Sequence, residues 1–463
     1  MPEMPEPIPF LPMASSSSYE IDSQISMNEP LFRVLLPDAP VDSPDLYSRP
    51  LTSTFELIQI GVYLRDTKWQ AVKDGDQSGD VVHPSIVFLS QLIGGILWRL
   101  HSKTHSLSEP IIDSDAELRK ALAASTSIVP DPATLVSINC LVAWYYLYHQ
   151  QLKTGQRWLM KAFEVVERND LQLTPPASNA VVAASTEPNE DTKELITTMS
   201  QLLFLDKAGE IVLNLPSITN DKFDQAVKDF PRMQPWMAKN SVVSMRARSV
   251  YFLYQALRLS RMRMEAAYET RFQTSDYEVL SSDWFAKYWE TLEDATAHVA
   301  ILSPQMLKTS LSVDPRAVPS KVCMIIAMAA QLELYRHLAP GHVDTRNKLL
   351  NVVCEIVDLT KGFKDEDFVM LDPVLGTCWQ VVATALWQER EHFIRLIRTE
   401  SSQYREVFDV MIACATKMGN SWPFMEGALN TLNEIATTVN GIPLPPPPQT
   451  TEYGLDFGNG VPV

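Results

Sequence analysis

Between about residues 51 and 440 the apolar residues recur mostly at steps of three and four, and period-two alternation bounded by turn residues is scarce, so the spacing predicts helices. The clearest unit is a helical hairpin. Its first arm, TLVSINCLVAWYYLYHQQL, is apolar nearly all round, KTGQ is expected to make the turn, and the second arm, RWLMKAFEVVERNDL, places Leu159, Ala162, Phe163 and Val166 on one stripe. A third helix is expected to start at the capping signal DTKE and to continue through LITTMSQLLFLDKAGEIVLNL until Pro216 stops it. Leu195, Met199, Leu202, Asp206 and Gly209 share one of its faces. Further helices are predicted over roughly 241–268, 283–302, 319–337, 344–361, 371–398, 402–418 and 422–438, without a repeat of fixed period. The strongest apolar stretch, Ile86 to Trp98, is too short to cross ~30 Å of hydrocarbon and reads as a buried helix. The fold class that follows is all-α: a large irregular helical domain built from antiparallel helical hairpins.

Composition marks the ends and the compartment. Residues 1–50 hold Pro2, Pro5, Pro7, Pro9, Pro12 and the run Ser15 to Ser18, a composition that gives little to bury and predicts a disordered tail. Residues 441–463 open on IPLPPPP and are likewise expected to be disordered. In that tail Tyr453, Leu455 and Phe457 stand among the acids Glu452 and Asp456, the mixture found in short activation segments; the plainer alternative is an end without a role. The start MPEMPEPIPFLPM lacks the basic region and continuous apolar core of a signal peptide. Five cysteines, Cys140, Cys323, Cys354, Cys378 and Cys414, are far apart in apolar runs and fit buried thiols in a reducing compartment. A formal charge of −17 opposes nucleic acid, so DNA binding by this chain alone needs a strongly basic element, and none is evident.

Candidate chemistry is sparse. His101 and His105 have the four-residue step of some zinc sites, but Ser102 stands where the metalloprotease pattern needs Glu. DGDQSGD imitates the first half of a calcium loop, yet Ser85 occupies the position of the bidentate Glu and Pro84 sits beside it. NDKFDQAVKD carries Asp221 and Asp224, but Lys228 falls where a metal-binding acid is wanted for diphosphate chemistry. There is no G-x-S-x-G elbow, glycine-rich phosphate loop or C-x-x-C pair. Arg246, Arg248, Arg258, Arg261, Arg263 and Arg271 cluster in MRARSVYFLYQALRLSRMRMEAAYETR. The favoured reading is an amphipathic helix whose arginines pair with neighbouring acids, with Val250, Leu253, Tyr254 and Leu257 as its core stripe. Asp206, on an apolar face, requires a partner, and a structural ion pair is expected there.

Three segments in order, HPSIVFLSQLIGGIL, LVAWYYLYHQQLKTGQRWLMKAFEVVERNDLQL and LLFLDKAGEIVLNLPSITND, resemble the middle homology region of fungal zinc-cluster transcription factors. That family follows a helical pair with a Leu-Asp-Arg helix and a turn of the form small-Pro-x-x-x-x-Asp. Asp206, Pro216 and Asp221 match this pattern, and Lys207 stands where Arg is usual, keeping the charge but not the bidentate fork. The resemblance is best over 83–225. The later stretches LDPVLGTCWQVVATALWQER and SWPFMEGALNTLNEI resemble the C-terminal helices of the same family.

The resemblance implies a nuclear regulator of RNA polymerase II transcription, with no enzymatic activity, acting through protein partners of the transcription machinery, as a homo- or heterodimer, and responding to a small metabolite. The family's two zinc ions belong to a six-cysteine, DNA-binding segment that this sequence does not contain. No cofactor is therefore expected in this chain, and DNA is expected only where such a head or a partner supplies the contact. No membrane association is expected. The alternatives are a helical scaffold or adaptor unrelated to transcription and, more distantly, an all-α enzyme with an unrecognised site.

Overall fold

A computed structural model describes residues 83–105, 114–171, 189–233, 241–272, 280–311, 316–369, 371–390 and 401–441. The N-terminal tail, the DGDQSGD loop and the tail beyond Gly441, with Tyr453, Leu455 and Phe457, lie outside the described residues. The protein is all-α: the described residues form thirteen α-helices and three short 3-10 turns and contain no strand. The first six helices are α1 (Pro84–His105), α2 (Ser114–Ser127), α3 (Pro132–Tyr148), α4 (Leu152–Arg168), α5 (Glu190–Leu213) and α6 (Asp221–Met233). Then come α7 (Val242–Phe272), α8 (Ser282–Leu311), α9 (Ala317–Leu338), α10 (Val343–Lys361), α11 (Val374–Gln388), α12 (Ser401–Gly419) and α13 (Glu426–Gly441).

The centre of the packing is α9, which touches α7, α8, α10 and α11. Every side chain from Val322 to Leu334 is buried. Length and composition alone would let the segment Ala317–Gly341 cross a membrane, but 83% of its apolar window is buried inside the protein. A helix apolar on all sides needs neighbours on all sides, and here other helices supply them. Ala327, Ala329 and Ala330, all fully buried, keep its girth small. The Ile86 to Trp98 stretch lies in α1, where Ile86, Leu89, Leu92, Ile93, Ile96 and Leu97 are buried.

The expected hairpin is present as α3 and α4, with its turn displaced. KTGQ is helical, and the chain reverses at His149, Gln150 and Gln151, where Gln150 takes a left-handed φ of 58°. Gly155 is thereby freed for packing: a Cβ there would lie 2.6 Å from Leu147 Cγ and 3.2 Å from the Ala143 carbonyl oxygen, so the two helices approach closely. Asp131 caps α3, its carboxylate accepting from the Thr134 N–H at 3.0 Å, with Pro132 in the first turn, where no N–H is needed.

Further boundaries shift. Helix α5 is capped by Asn189, whose side chain accepts from Thr192 N–H at 2.9 Å, so DTKE lies within the first turn. It ends at Leu213, ahead of Pro216, because Asn214 adopts the left-handed conformation (φ 53°) and its N–H returns to the Glu210 carbonyl. Towards the C-terminus, residues 371–373 precede α11, and Pro423–Met425 form a 3-10 turn before α13.

Candidate functional site: a buried ionic junction and an aromatic-lined groove

The turn after α5 folds back onto the helix and meets Asp206. Its carboxylate, 4% exposed, accepts from Ser217 Oγ at 2.6 Å, from Ile218 N–H at 2.8 Å and from Thr219 Oγ1 at 2.7 Å. Lys207, fully buried, reaches Asp206 at 3.2 Å and Asp224 of α6 at 2.7 Å, and donates to Ser217 Oγ and Thr219 Oγ1. Its ammonium also stands 4.7 Å from the centre of the Tyr254 ring on α7. Burial pulls the Lys207 pKa down, but Asp206 and Asp224 outweigh it and hold the ammonium above the ordinary lysine value. Burial pushes the Asp224 carboxyl up, against the pull of Lys207, since two carboxylates share one cation.

The expected ion pair at Asp206 is therefore a three-charge junction with a saturated turn, tying α5, α6 and α7 together. Asp221 is not part of it. That residue is exposed in the first turn of α6, where Asn220 caps the helix by accepting from Phe223 N–H, and the acid at the junction is Asp224. Pro216 holds the turn through its carbonyl, which accepts from Gln156 of α4 at 3.0 Å. With Lys207 only 1% exposed, the junction lies away from solvent.

The arginine-rich helix α7 also packs as an ordinary core helix, with Val250, Leu253 and Tyr254 buried. Arg246 pairs with Asp372 at 2.7 Å, Arg261 approaches Glu210 at 3.8 Å, and Arg263 donates to the His337 carbonyl. Arg248 departs from expectation. It donates to His298 Nδ1 at 3.0 Å, and Ser249 Oγ lies 2.9 Å from His298 Nε2 and 3.0 Å from the Met245 carbonyl. The guanidinium fixes Nδ1 as the acceptor, so Nε2 carries the proton and gives it towards Ser249. The imidazole is thus in the wrong tautomer to deprotonate this serine, and burial with the adjacent Arg248 charge holds its pKa well below the usual value.

A second feature lies between the helices. Leu97 of α1, Trp144 and Tyr148 of α3, and Phe204, Ala208 and Val212 of α5 enclose a groove with about 70 Å³ of free space. Leu371 and Asp372 before α11, and Trp422 and Phe424 before α13, complete its wall. Trp144 and Tyr148 stack at 5.3 Å, and Trp422 meets both edge-on at 6.3 and 5.7 Å. Among these apolar surfaces the one charged pair is Arg246 with Asp372, and the Arg246 guanidinium also lies 4.1 Å from the centre of the Phe204 ring. Asp372 accepts from Val374 N–H at 3.0 Å as well, anchoring the start of α11. Trp422 is 6% exposed, and its indole Nε1 is buried without a hydrogen-bond partner among the described residues.

All five sequence blocks singled out by the resemblance contribute to this groove: Leu97 closes the first, Trp144 and Tyr148 belong to the second, Phe204 and Ala208 to the third, Asp372 to LDPV and Trp422 to SWPF. Spacing along the chain gave no sign of this meeting, because it depends on how α1, α3, α5 and the two late turns pack. His101 and His105 fall in the last turns of α1, with side chains outside the described residues. Among the described residues no three His, Cys, Asp or Glu are grouped to hold a metal. Cys140, Cys323 and Cys378 are buried and Cys354 and Cys414 half-buried, all as free thiols; burial pushes the Cys323 pKa up to about 12. No family model matches this chain, and none of the curated proteins or solved structures compared with it matches.

Proposed function

We propose that this chain is a regulator of RNA polymerase II transcription, of the fungal zinc-cluster type, that works by binding and conformational control and carries no chemistry of its own. The observation that carries the reading is convergence: blocks resembling that family, separated widely along the sequence, supply the walls of one apolar groove. A groove between helices, mostly apolar with a single ion pair, is the kind of site that takes a small molecule and changes helix packing when filled. The junction of Asp206, Lys207 and Asp224 supports the same reading, because it ties the C-terminal half of α5, the part that lines the groove, to α6. In this account the protein resides in the nucleus, engages the transcription machinery through protein contacts as a homo- or heterodimer, and reaches DNA through a head or partner that supplies the basic surface.

The test is chromatin crosslinking of the native full-length protein in its own cells, followed by sequencing of the recovered DNA. Enrichment at a defined set of promoters is the expected result. Recovery no greater than that of an untagged control, with stable protein complexes elsewhere, would instead support a helical scaffold unrelated to transcription.

A further inference from the structure

We propose that the outward face of α4 is the docking site of the chain's own C-terminal segment, with Lys153, Arg157 and Lys161 holding the acids Glu452 and Asp456. Leu159, Ala162 and Val166 turn one face of α4 into the core, while Lys153, Arg157 and Lys161 recur at steps of four along the exposed side. None of the three makes an ion pair among the described residues, although Arg168 at the end of the same stripe is held by Glu164 at 3.0 Å. Lys153 also stands in the first turn of the helix, which contains no acid and where a cation works against the helix dipole. In a chain of formal charge −17, three cations spaced to repel one another on one helix face are a cost to that helix unless something acidic meets them. The stripe carries apolar surface as well: Met160 lies within it, 48% exposed, and the Lys161 ammonium sits 3.9 Å from the centre of the Trp158 ring.

Charge and reach select the occupant. Residues 442–463 contain Glu452 and Asp456 and no Lys, Arg or His, and Tyr453, Leu455 and Phe457 beside these acids complement Met160 and Trp158. Trp422, just ahead of α13, meets Tyr148 of α3 at 5.7 Å, and α4 begins four residues after Tyr148, so α13 starts beside the start of α4. The 16 residues of α13 carry Gly441 at most about 24 Å from there. The fifteen residues from Ile442 to Asp456 span up to about 50 Å when extended, and the five prolines among them favour extension. The acids therefore reach the α4 stripe with length to spare. Tethering supplies an effective concentration on the order of millimolar, so a few exposed ion pairs suffice to hold the segment. A second copy suits this face less well, because a two-fold contact through it would set like charges against each other. Docked, the acidic and aromatic stretch is withheld from outside partners; released, it becomes available together with the α4 face. The inference goes beyond the transcriptional reading and does not rest on it.

The experiment is zero-length carbodiimide crosslinking of the full-length chain at physiological salt, with the linked peptides identified by mass spectrometry. The exposed pair Lys361 and Glu406, 2.9 Å apart, is the internal control. The expected result is amide links from Lys153 or Lys161 to Glu452 or Asp456, formed within one copy when ¹⁴N- and ¹⁵N-labelled chains are mixed. Arg157→Gln changes an exposed side chain that forms no link itself, and it should lower the yield of these links several-fold while leaving the control unchanged. An added peptide of residues 449–463 should do the same, and its Glu452→Gln/Asp456→Asn form should not. Control links without tail links, links from Lys153 and Lys161 to acids elsewhere in the chain, tail links only between copies, or a yield indifferent to Arg157→Gln or to the peptide would each overturn the inference.

Discussion

At the scale of single residues, the buried charges define where the molecule is sensitive. Removing the cation from the junction leaves two carboxylates buried, so Lys207→Met should cost about 3–5 kcal/mol in urea unfolding. Adding Asp224→Leu to it should recover part of that loss, since Asp206 keeps its three donors from the turn. Equal losses in the single and double variants would contradict this. The need for a partner at Asp206 was legible in the sequence, because a carboxylate lay on an apolar face. Its partners were not, because Ser217, Ile218 and Thr219 reach it only after the chain reverses beyond Asn214. The acid named by the motif, Asp221, proved to be the exposed neighbour.

Two buried histidines contribute to the response to acid. Burial holds His337 down to about 4, and burial with the Arg248 charge holds His298 well below 6.5. Since the unfolded chain takes up protons near pH 6.5 and these folded sites do not, their contribution is complete above about 6.5 and is lost as pH falls towards 4. Thermal unfolding across that window should show a declining midpoint, and the His298→Gln/His337→Gln double variant should flatten the decline. A slope unchanged by the double variant would place the acid sensitivity elsewhere.

Among the elements, helix identity was legible and helix ends were not. The three-and-four spacing of apolar residues fixes which segments coil, but a boundary is decided by one or two local hydrogen bonds. Asn189 outcompeted DTKE as a cap because its side chain meets Thr192 N–H, and Asn214 ended α5 before Pro216 through its left-handed backbone. Along the sequence Gly155 reads as a turn residue because glycine commonly marks turns, whereas its role is the close contact between α3 and α4. Gly155→Ala should therefore destabilise the protein by about 1–3 kcal/mol despite the better helix propensity of Ala, because the new methyl group meets Leu147 and the Ala143 carbonyl. Gly376→Ala, which meets the flexible end of Met425 at 2.8 Å and the Ala428 Cβ at 3.0 Å, both farther off than Leu147 Cγ is from a Cβ at Gly155, should cost less. Chemical denaturation of the two variants side by side decides the order, and the reverse order would contradict the packing described for the hairpin.

For the whole molecule, the all-α class followed from the sequence, while the groove did not. Its walls come from helices and turns far apart along the chain, and no local pattern encodes their meeting. The proposed function has the folded chain act on transcription. Tethering the full-length chain to a promoter through a heterologous DNA-binding domain, and counting transcripts from that promoter, tests it most directly. The account predicts a several-fold change relative to the DNA-binding domain alone, diminished by Lys207→Met at equal protein level; transcript counts indistinguishable from the DNA-binding domain alone would contradict it.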